Sequence, residues 1–425
     1  MNILAATNTF SPHVGGVANS VASFAAEYRR QGHKVLVVAP AFADAPARET
    51  DVIRVPAIQN FNGSDFSLRL PVPGFVFPEL DRFRPDVVHA HHPYLLGDTA
   101  LRIAAVRDAP LVFTHHTMYE QFTRFVPGDS PALRRFVVEL STGYANLCDS
   151  VIAPSESVAA ILRARGVSVP VAVIPTGVDL KRFAAGDGAR YRASAGIPAD
   201  AFVVGSIGRL SPEKNLPFLA EAVCGFLAGR EEARFLVAGV GPLEREMREI
   251  VARRGLSGRL HFTGILRGGD LADAYRAMDV FAFASLCETQ GMVLAEALAA
   301  GVPAVALDAP GVREAVVDGR NGVLLPAESV PAFRDALDRI ASLPPGGRRA
   351  LRDEAARGAE RFSMEACAAR ALDLYGSLLE AERRPKVARG SLWASARRLA
   401  GKEWKLWANR AHAAGAAVGR PGGQA

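Results

Sequence analysis

The sequence predicts a doubly wound α/β protein with two sheets of similar size. Short apolar runs rich in β-branched residues alternate with stretches of helical periodicity, which is typical of helices covering the faces of a buried parallel sheet. The alternation restarts near residues 170 to 180, which indicates a second sheet. A chain of 425 residues has room for two or three domains.

The first half contains five strand-like runs separated by helical patterns. In order, the strands are NILAAT (2–7), KVLVVAP (34–40), DVVHAH (86–91), PLVFTH (110–115) and the start of SVIAPSES (150–157). One predicted helix spans 15–33 and ends at Gly32, and another spans 133–148.

The second half has the same alternation without a strong sequence repeat. After PVAVIPTGVDLKRF (170–183), the strand-like runs are 201–210, 233–241, 259–264, 278–285 and 302–308. Ligands of doubly wound sheets bind at the carboxyl ends of the strands. If the two sheets face each other, we expect the ligand in a cleft between them.

Composition argues against several classes of protein. No run of about 18 apolar residues is free of charges or Gly/Pro breakers, so we expect no transmembrane helix. The N-terminus lacks the basic segment of a signal peptide. The four cysteines are widely scattered without disulfide or zinc spacing, which favours reduced cytosolic thiols.

The net charge of +6 is unevenly distributed. Residues 383–425 carry ten basic side chains and one acidic one, a net +9 that leaves −3 for residues 1–382. This distribution argues against a nucleic-acid surface across the whole protein and favours local attraction to an anionic partner.

Two loops at strand ends have the residues of a phosphate site. Gly15 and Gly16 open a helix after the first strand, where a ligand can approach free backbone N–H groups. Arg209 and Lys214, in GRLSPEKN (208–215), follow the first strand of the second half and suit a diphosphate. The alternatives are a tight glycine turn and two solvated surface cations.

Glu288 and Glu296 lie in ETQGMVLAE (288–296), the first before a helix and the second within it. Eight helical residues span about 12 Å, which is too wide for the two carboxylates of a glycosidase. A glutamate at each end suits the hydroxyls of a sugar nucleotide, whose diphosphate the helix N-terminus near Thr289 to Met292 would receive. The alternative is that Glu296 faces solvent.

Five histidines stand at two strand ends, in HAHHPY (89–94) and THHTMYE (114–120). A zinc site is one hypothesis, but no acidic or cysteine ligand lies close in the sequence and no HExxH motif occurs. We favour one histidine contacting a sugar hydroxyl, with the others structural, and expect no metal.

Several motifs, in order and spacing, resemble the retaining nucleotide-sugar glycosyltransferases of family 4, which have the GT-B fold of two Rossmann-like domains. The motifs are HVGGVANSV, VIPTGVD, GRLSPEKN, FLVAGVGP and ETQGMVLAEALAAGVPAVA, and the resemblance covers about residues 1 to 380. It implies a donor site formed by Gly15, Gly16, Arg209, Lys214, Glu288, Thr289, Gln290, Gly291, Met292, Val293 and Glu296.

Within this site, the resemblance implies that Glu288 binds the donor-sugar hydroxyls and that Glu296 binds the ribose. It also implies that His116 contacts the donor sugar near the reacting centre. The family commonly has Gly-Phe-Gly after the first glutamate, and this chain has Thr289-Gln290-Gly291, which leaves the donor sugar open. We expect the donor to be UDP-hexose, which is a substrate of the reaction. We expect no cofactor and no metal.

The segment FTHHTMYEQFTRFVP (113–127) resembles the acceptor side of bacterial diacylglycerol glycosyltransferases. This resemblance implies an acceptor pocket formed by His115, Tyr119, Glu120 and Arg124. The alternative is a helix start with ordinary core aromatics.

The three tryptophans, Trp393, Trp404 and Trp407, all lie in SLWASARRLAGKEWKLWANR (391–410). On a helix they share one face, with Arg398, Lys402 and Lys405 opposite. Such a helix is typical of an anionic membrane interface. The alternative is a helix packed on the body of the protein or on another chain.

The sequence thus predicts a retaining hexosyltransferase acting on a lipid such as diacylglycerol at the cytoplasmic face of the membrane. The predicted domains are 1–172 on the acceptor side, 173–362 for the nucleotide sugar, a returning helix at 363–385 and a basic tail at 386–425, with the membrane contact at 386–412. Alternatives are a glycan or soluble acceptor, a GT-B sugar-nucleotide 2-epimerase, and a non-catalytic membrane scaffold.

Overall fold

The computed structural model describes residues 1–13, 15–42, 44–46, 49–58, 68–69, 77–123, 128–382 and 392–418. The chain forms two compact units. Unit 1 consists of Met1–Gly177 together with Glu365–Ala425, and unit 2 of Val178–Met364.

Unit 1 contains a seven-stranded sheet in the order β3-β2-β1-β6-β7-β8-β9, and every neighbouring pair is parallel. A separate antiparallel pair joins β4 and β5. The strands of unit 1 are β1 (Asn2–Ala6), β2 (Lys34–Pro40), β3 (Val52–Val55), β4 (Ala57–Ile58), β5 (Leu68–Arg69), β6 (Val87–Ala90), β7 (Leu111–Thr114), β8 (Ser150–Ala153) and β9 (Val171–Val173).

Five helices connect these strands, and two of them begin with a serine cap. Ser130 and Ser155 each accept a hydrogen bond from the backbone N–H three residues later, at 3.1 and 3.2 Å, which satisfies a donor that the helix leaves unpaired. The helices are α1 (Gly16–Arg30), α2 (Phe77–Phe83), α3 (Leu96–Arg107), α4 (Pro131–Ala145) and α5 (Glu156–Ala164).

Unit 2 contains a six-stranded parallel sheet in the order β12-β11-β10-β13-β14-β15. Its strands are β10 (Val203–Ile207), β11 (Arg234–Ala238), β12 (Leu260–Phe262), β13 (Val280–Phe283), β14 (Ala304–Leu307) and β15 (Gly322–Leu325). Two apolar clusters contain the buried side chains of this unit, and each draws its residues from unit 2 alone.

The helices of unit 2 are α6 (Leu180–Ala184), α7 (Gly188–Ser194), α8 (Leu216–Ala228), α9 (Glu244–Arg253), α10 (Gly268–Arg276), α11 (Met292–Ala299), α12 (Val330–Ala341) and α13 (Pro345–Ala359). The chain then continues into α14 (Met364–Glu382) and α15 (Leu392–Val418).

Helix α15 packs against α3 and α4 in unit 1. Leu406 and Ala413 are buried, and Leu406 belongs to the apolar core of the unit. Polar contacts hold the same side of the helix. Arg398 donates to the carbonyl of Ala105 at 3.0 Å, and Lys402 donates to that of Leu147 at 2.9 Å.

This packing is consistent with the alternative of a helix packed on the body of the protein, and it places part of the basic face against unit 1. Arg398 and Lys402 contact protein, whereas Trp404 and Trp407 are 75% and 64% exposed. The side chain of Trp393 and residues 386–391 of the predicted membrane segment lie outside the described residues. No helix in the described part of the chain is long and apolar enough to cross a bilayer.

Candidate active site

The strand order of each sheet reverses at one place, and most of the predicted site residues follow the strands there. In unit 1, β1 lies between β2 and β6. In unit 2, β10 lies between β11 and β13. The connections leave in opposite directions at such a point and open a crevice at the carboxyl ends of the strands.

Lys214 and Glu288 form an ion pair in unit 2. Lys214 ends a short 3-10 turn, Pro212–Lys214, after β10, and Glu288 lies in the loop that follows β13. Lys214 Nζ is 2.5 Å from Glu288 Oε1, and the side chains are 23% and 13% exposed. The residues predicted to hold the diphosphate and the sugar hydroxyls thus lie side by side, while Arg209 is exposed on the same loop as Lys214.

The start of α11 is shaped by two glycines. Gly291 has φ 71°, a left-handed conformation that favours glycine, and is the N-cap of the helix. At Gly311 a Cβ atom would lie 2.7 Å from the backbone nitrogen of Gln290, so only glycine allows this close approach. Because a glycine cap has no side chain, it leaves the first N–H groups of the helix for a ligand, in a region that favours negative charge.

The predicted donor residues on this loop differ in burial. Gln290 is buried, whereas Thr289, Met292 and Val293 are half-buried. All three half-buried residues surround the same helix start as Glu288.

Glu296 lies further along α11 and is half-buried. The Tyr275 hydroxyl on α10 donates to Glu296 Oε2 at 2.7 Å, a contact that does not fit the alternative of a carboxylate facing solvent. Burial raises the pKa of Glu296 to about 7, although the Tyr275 hydrogen bond and the charge of Arg182 oppose the rise. The group therefore changes charge near neutral pH.

Gly15 and Gly16 lie at the start of α1 in unit 1. Gly15 is the N-cap with φ −174°, an extended conformation that any residue adopts, so a left-handed turn does not explain this glycine. A Cβ atom at Gly15 would lie 3.2 Å from Nε2 of His13, so the side chain of His13 crowds this position. No side chain caps this helix end.

Three of the histidines form a cluster at the ends of β6 and β7, in which His89 and His91 are buried and His116 is half-buried. His91 Nδ1 and His116 Nε2 are 2.9 Å apart, and the rings of His89 and His91 have centroids 4.1 Å apart. Burial lowers the pKa of both His89 and His116 to about 3 and that of His91 well below its ordinary value. All three rings are therefore neutral at pH 7.

His115 and Tyr119, two of the predicted acceptor residues, pack edge to face with ring centroids 5.5 Å apart. Both are buried, and neither the ring nitrogens of His115 nor the Tyr119 hydroxyl have a hydrogen-bond partner among the described residues. Buried polar atoms without partners are uncommon and mark a place where a hydroxyl or water fits.

Glu120 has a different environment. Arg165, at the end of α5, donates to Glu120 Oε1 at 2.6 Å, and both side chains are largely buried. This pair fixes the 3-10 turn Tyr119–Gln121. Arg124, the fourth predicted acceptor residue, lies outside the described residues.

Three side chains at these sites were not predicted from the sequence: Arg165, Tyr275, and Tyr375, whose hydroxyl lies 2.7 Å from Nδ1 of His89. Each reaches its partner from a distant part of the chain, and no motif marks it. In the described part of the chain, no group of three or more His, Cys, Asp or Glu side chains has an arrangement that could hold a metal ion.

Two family models match this chain. The model for Glycosyltransferase Family 4 matches residues 14–182, and that for Glycosyl transferases group 1 matches residues 201–342. The two matches fall on the two halves that the sequence pattern distinguishes.

Curated relatives carry related names. The alpha-monoglucosyldiacylglycerol synthase of Streptococcus pneumoniae (strain ATCC BAA-255 / R6) is 30% identical over 326 residues, which are 75% of this chain and 74% of that protein. A GDP-mannose-dependent alpha-mannosyltransferase of Mycobacterium tuberculosis (strain CDC 1551 / Oshkosh) is 33% identical over 75% of this chain and 82% of that protein.

Among solved structures, Anabaena Alr3699/HepE in complex with UDP superposes with a TM-score of 0.69 at 21% identity, covering 89% of this chain and 100% of that one. This likeness identifies the fold as GT-B. The chain therefore belongs to the family 4 glycosyltransferases, close to the diacylglycerol glycosyltransferases, and is a hexosyltransferase.

Proposed function

We propose that the enzyme transfers a hexose, with retention of configuration, from a nucleoside diphosphate donor to a hydroxyl of a lipid such as diacylglycerol. UDP-hexose is the proposed donor, and no metal takes part. The observation that carries the donor half of the proposal is the Lys214–Glu288 pair at the start of α11.

Donor binding would separate this pair. Lys214, with Arg209 and the N–H groups at the start of α11, would neutralise the diphosphate, and Glu288 would accept hydrogen bonds from sugar hydroxyls. Glu296 would accept from the ribose hydroxyls. The ion pair thus keeps both side chains in position before the donor arrives. When the donor binds, each side chain would exchange the ion pair for charge-assisted contacts with the donor.

In the proposed reaction, the bond between the anomeric carbon and the phosphate oxygen breaks and a bond to the acceptor oxygen forms on the same face. The acceptor proton passes to the leaving phosphate. Neither glutamate acts as a nucleophile. His116, neutral at pH 7, is the proposed side chain that contacts a hydroxyl of the reacting sugar.

The Glu288→Gln variant tests the donor site. We expect transfer to fall by about a hundredfold or more, because the neutral amide loses a charge-assisted hydrogen bond to the sugar. Binding of the nucleoside diphosphate alone, measured by calorimetry, should persist. Glu246→Gln, an exposed change on α9 of the same unit, is the matched control. Full transfer by Glu288→Gln would refute the proposed role.

A panel of radiolabelled sugar nucleotides incubated with a lipid extract identifies donor and acceptor together. Label that moves into a chloroform-soluble product on thin-layer chromatography supports the lipid acceptor. Label in a water-soluble glycan would move the proposal to that acceptor class, and isomerisation of the donor without any acceptor would replace transfer by epimerisation.

We also propose peripheral binding at the cytoplasmic face of the membrane, and the exposed tryptophans of helix α15 support a contact with lipid. Trp404 and Trp407 are exposed on a helix whose other side packs on unit 1, and Lys405 is exposed next to Trp404. Tryptophan is favoured at the level of lipid headgroups, and a neighbouring cation adds attraction to anionic lipid.

Vesicle sedimentation of the Trp404→Ser/Trp407→Ser variant tests this contact without deleting the helix. The buried side chains of α15 stay in place, so we expect an intact fold and about a tenfold loss of binding to vesicles of phosphatidylglycerol and phosphatidylcholine, since each tryptophan contributes interfacial area. Val317→Ser, which removes an exposed apolar side chain of unit 2, is the control. Unchanged binding of the double variant would contradict the proposed surface.

A further inference from the structure

A chain of buried hydrogen bonds joins helix α14 to the histidine cluster. Tyr375 on α14 is fully buried, and its hydroxyl lies 2.7 Å from His89 Nδ1. The other ring nitrogen of His89 lies 2.7 Å from Thr114 Oγ1 at the end of β7. The hydroxyl of Tyr28 on α1 lies 3.2 Å from that of Tyr375.

Two routes lead from His89 to His116. In the first, the His89 ring packs on the ring of His91, whose Nδ1 lies 2.9 Å from His116 Nε2. In the second, His89 bonds to Thr114, whose backbone carbonyl accepts from the His116 N–H at 3.1 Å. The ring and the backbone of His116 thus both depend on the position of His89.

We propose that Tyr375 is a positioning residue that fixes the ring of His89 and, through it, the orientation of His91 and His116. The proposal rests on the proposed contact of His116 with the reacting sugar, and extends it to a residue 286 positions away from His89 in the sequence.

Two hydrogen bonds constrain the ring of His89. A neutral imidazole has one N–H and one accepting nitrogen, and a hydroxyl can pair with either, so two hydroxyl partners fix the plane of the ring in both tautomers. Both nitrogens of His89 have partners, Tyr375 and Thr114. Removal of the Tyr375 hydroxyl leaves one buried nitrogen unpaired and releases this constraint.

The orientation of His116 matters because small displacements of a group at the reacting centre lower the reaction rate. A shift of about 1 Å in a group that contacts the reacting atoms lowers the rate by up to about a hundredfold. Tyr375 contacts His89 and acts on His116 through this contact. Its loss should therefore lower kcat and change the affinity for the donor little.

The Tyr375→Phe variant tests the proposal. We expect kcat to fall about tenfold, with the donor KM changed less than twofold. Tyr144→Phe is the matched control, because it removes a buried tyrosine hydrogen bond of the same unit, from Tyr144 to the carbonyl of Gly97 at 2.8 Å, outside this chain of contacts. An equal fall in kcat in both variants would indicate general destabilisation and overturn the proposal.

Nitrogen NMR of ring-labelled histidine gives a readout that does not depend on transfer. In Tyr375→Phe we expect the ring signals of His89, His91 and His116, assigned by single His→Gln variants, to move, while Tyr144→Phe leaves them unchanged. Unmoved signals of His91 and His116 would overturn the positioning role. Moved signals with unchanged kcat would support positioning and instead refute the proposed contact between His116 and the sugar.

Discussion

At the scale of single residues, position at a strand end proved more informative than residue type. Lys214 and Glu288 lie in loops after β10 and β13, and the structure places their side chains in contact. Tyr275 and Tyr375 could not be predicted in the same way. Their hydroxyls contact Glu296 and His89 from elements 21 and 286 residues away, and a buried tyrosine resembles ordinary core in the sequence.

The pKa of Glu296 leads to a pH dependence of donor binding. In the proposed ribose contact, the ionised carboxylate accepts hydrogen bonds from hydroxyls better than the protonated form does, so donor affinity should rise as pH rises through about 7. The contribution of this group to folding stability has the opposite trend. It is fully present below the ordinary pKa of 4.5 and is lost as pH rises through about 7.

Calorimetry of nucleoside diphosphate binding between pH 6 and 8 checks this prediction. Glu296→Gln should remove the dependence except for the ionisation of the phosphate itself, near pH 6. Tyr275→Phe should move the midpoint upward, because the Tyr275 hydrogen bond lowers the pKa of Glu296. A wild-type affinity that does not vary beyond the Glu296→Gln baseline would contradict the prediction.

At the scale of elements, the long alternating pattern was predictable, but the two edge strands β3 and β15 were not. Strand β3 (VIRV) contains an arginine, and β15 (GVLL) begins with a glycine and has one β-branched residue, so neither forms a clear run of β-branched residues. The orientation of α15 was not predictable either. Arg398 and Lys402 bond to carbonyl groups of unit 1, and the helical periodicity does not show which side of a helix packs.

A single glycine on α4 determines how closely α15 packs. A Cβ atom at Gly143 would lie 1.7 Å from Asn409 Oδ1, and the Asn409 amide donates to the Leu140 carbonyl at 3.1 Å. Although alanine is favoured over glycine within a helix by about 1 kcal/mol, Gly143→Ala should loosen α15 because the new methyl displaces Asn409.

Hydrogen exchange of residues 400–418 measures this loosening. We expect faster exchange in Gly143→Ala and native-like exchange in Gly143→Ala/Asn409→Ala, in which the obstructing side chain is gone. Asn409→Ala alone is the control for the lost hydrogen bond. Exchange in the double variant as fast as in Gly143→Ala would show that the clash is not the cause.

At the scale of the whole molecule, the two sheets and the fold class were predictable, because the alternation of strand and helix recurs over many elements and survives errors in any one. The division into units also involves the last part of the chain. Unit 1 needs Glu365–Ala425 to be complete, since Leu406 lies in its core and Tyr375 lies against its histidines.

Because unit 1 is formed from two separate segments of the chain, we expect fragments of the two units to differ in their unfolding. Residues 178–364 contain both of their own apolar clusters and should unfold cooperatively in urea as a separate protein. Residues 1–177 lack α14 and α15 and should show no cooperative transition until residues 365–425 are supplied. A native-like urea midpoint for 1–177 alone, measured by near-ultraviolet circular dichroism, would contradict this view.

The division of unit 1 between the two ends of the chain has a consequence for synthesis on the ribosome. About 200 residues separate the end of its first segment from Tyr375, which at 5 to 20 residues per second corresponds to roughly 10 to 40 seconds of translation. Throughout that interval the nascent chain contains His89, His91 and His116 but not Tyr375, whose hydroxyl contacts His89. The histidine cluster can therefore complete its contact with Tyr375 only after all of unit 2, Val178–Met364, has been synthesised.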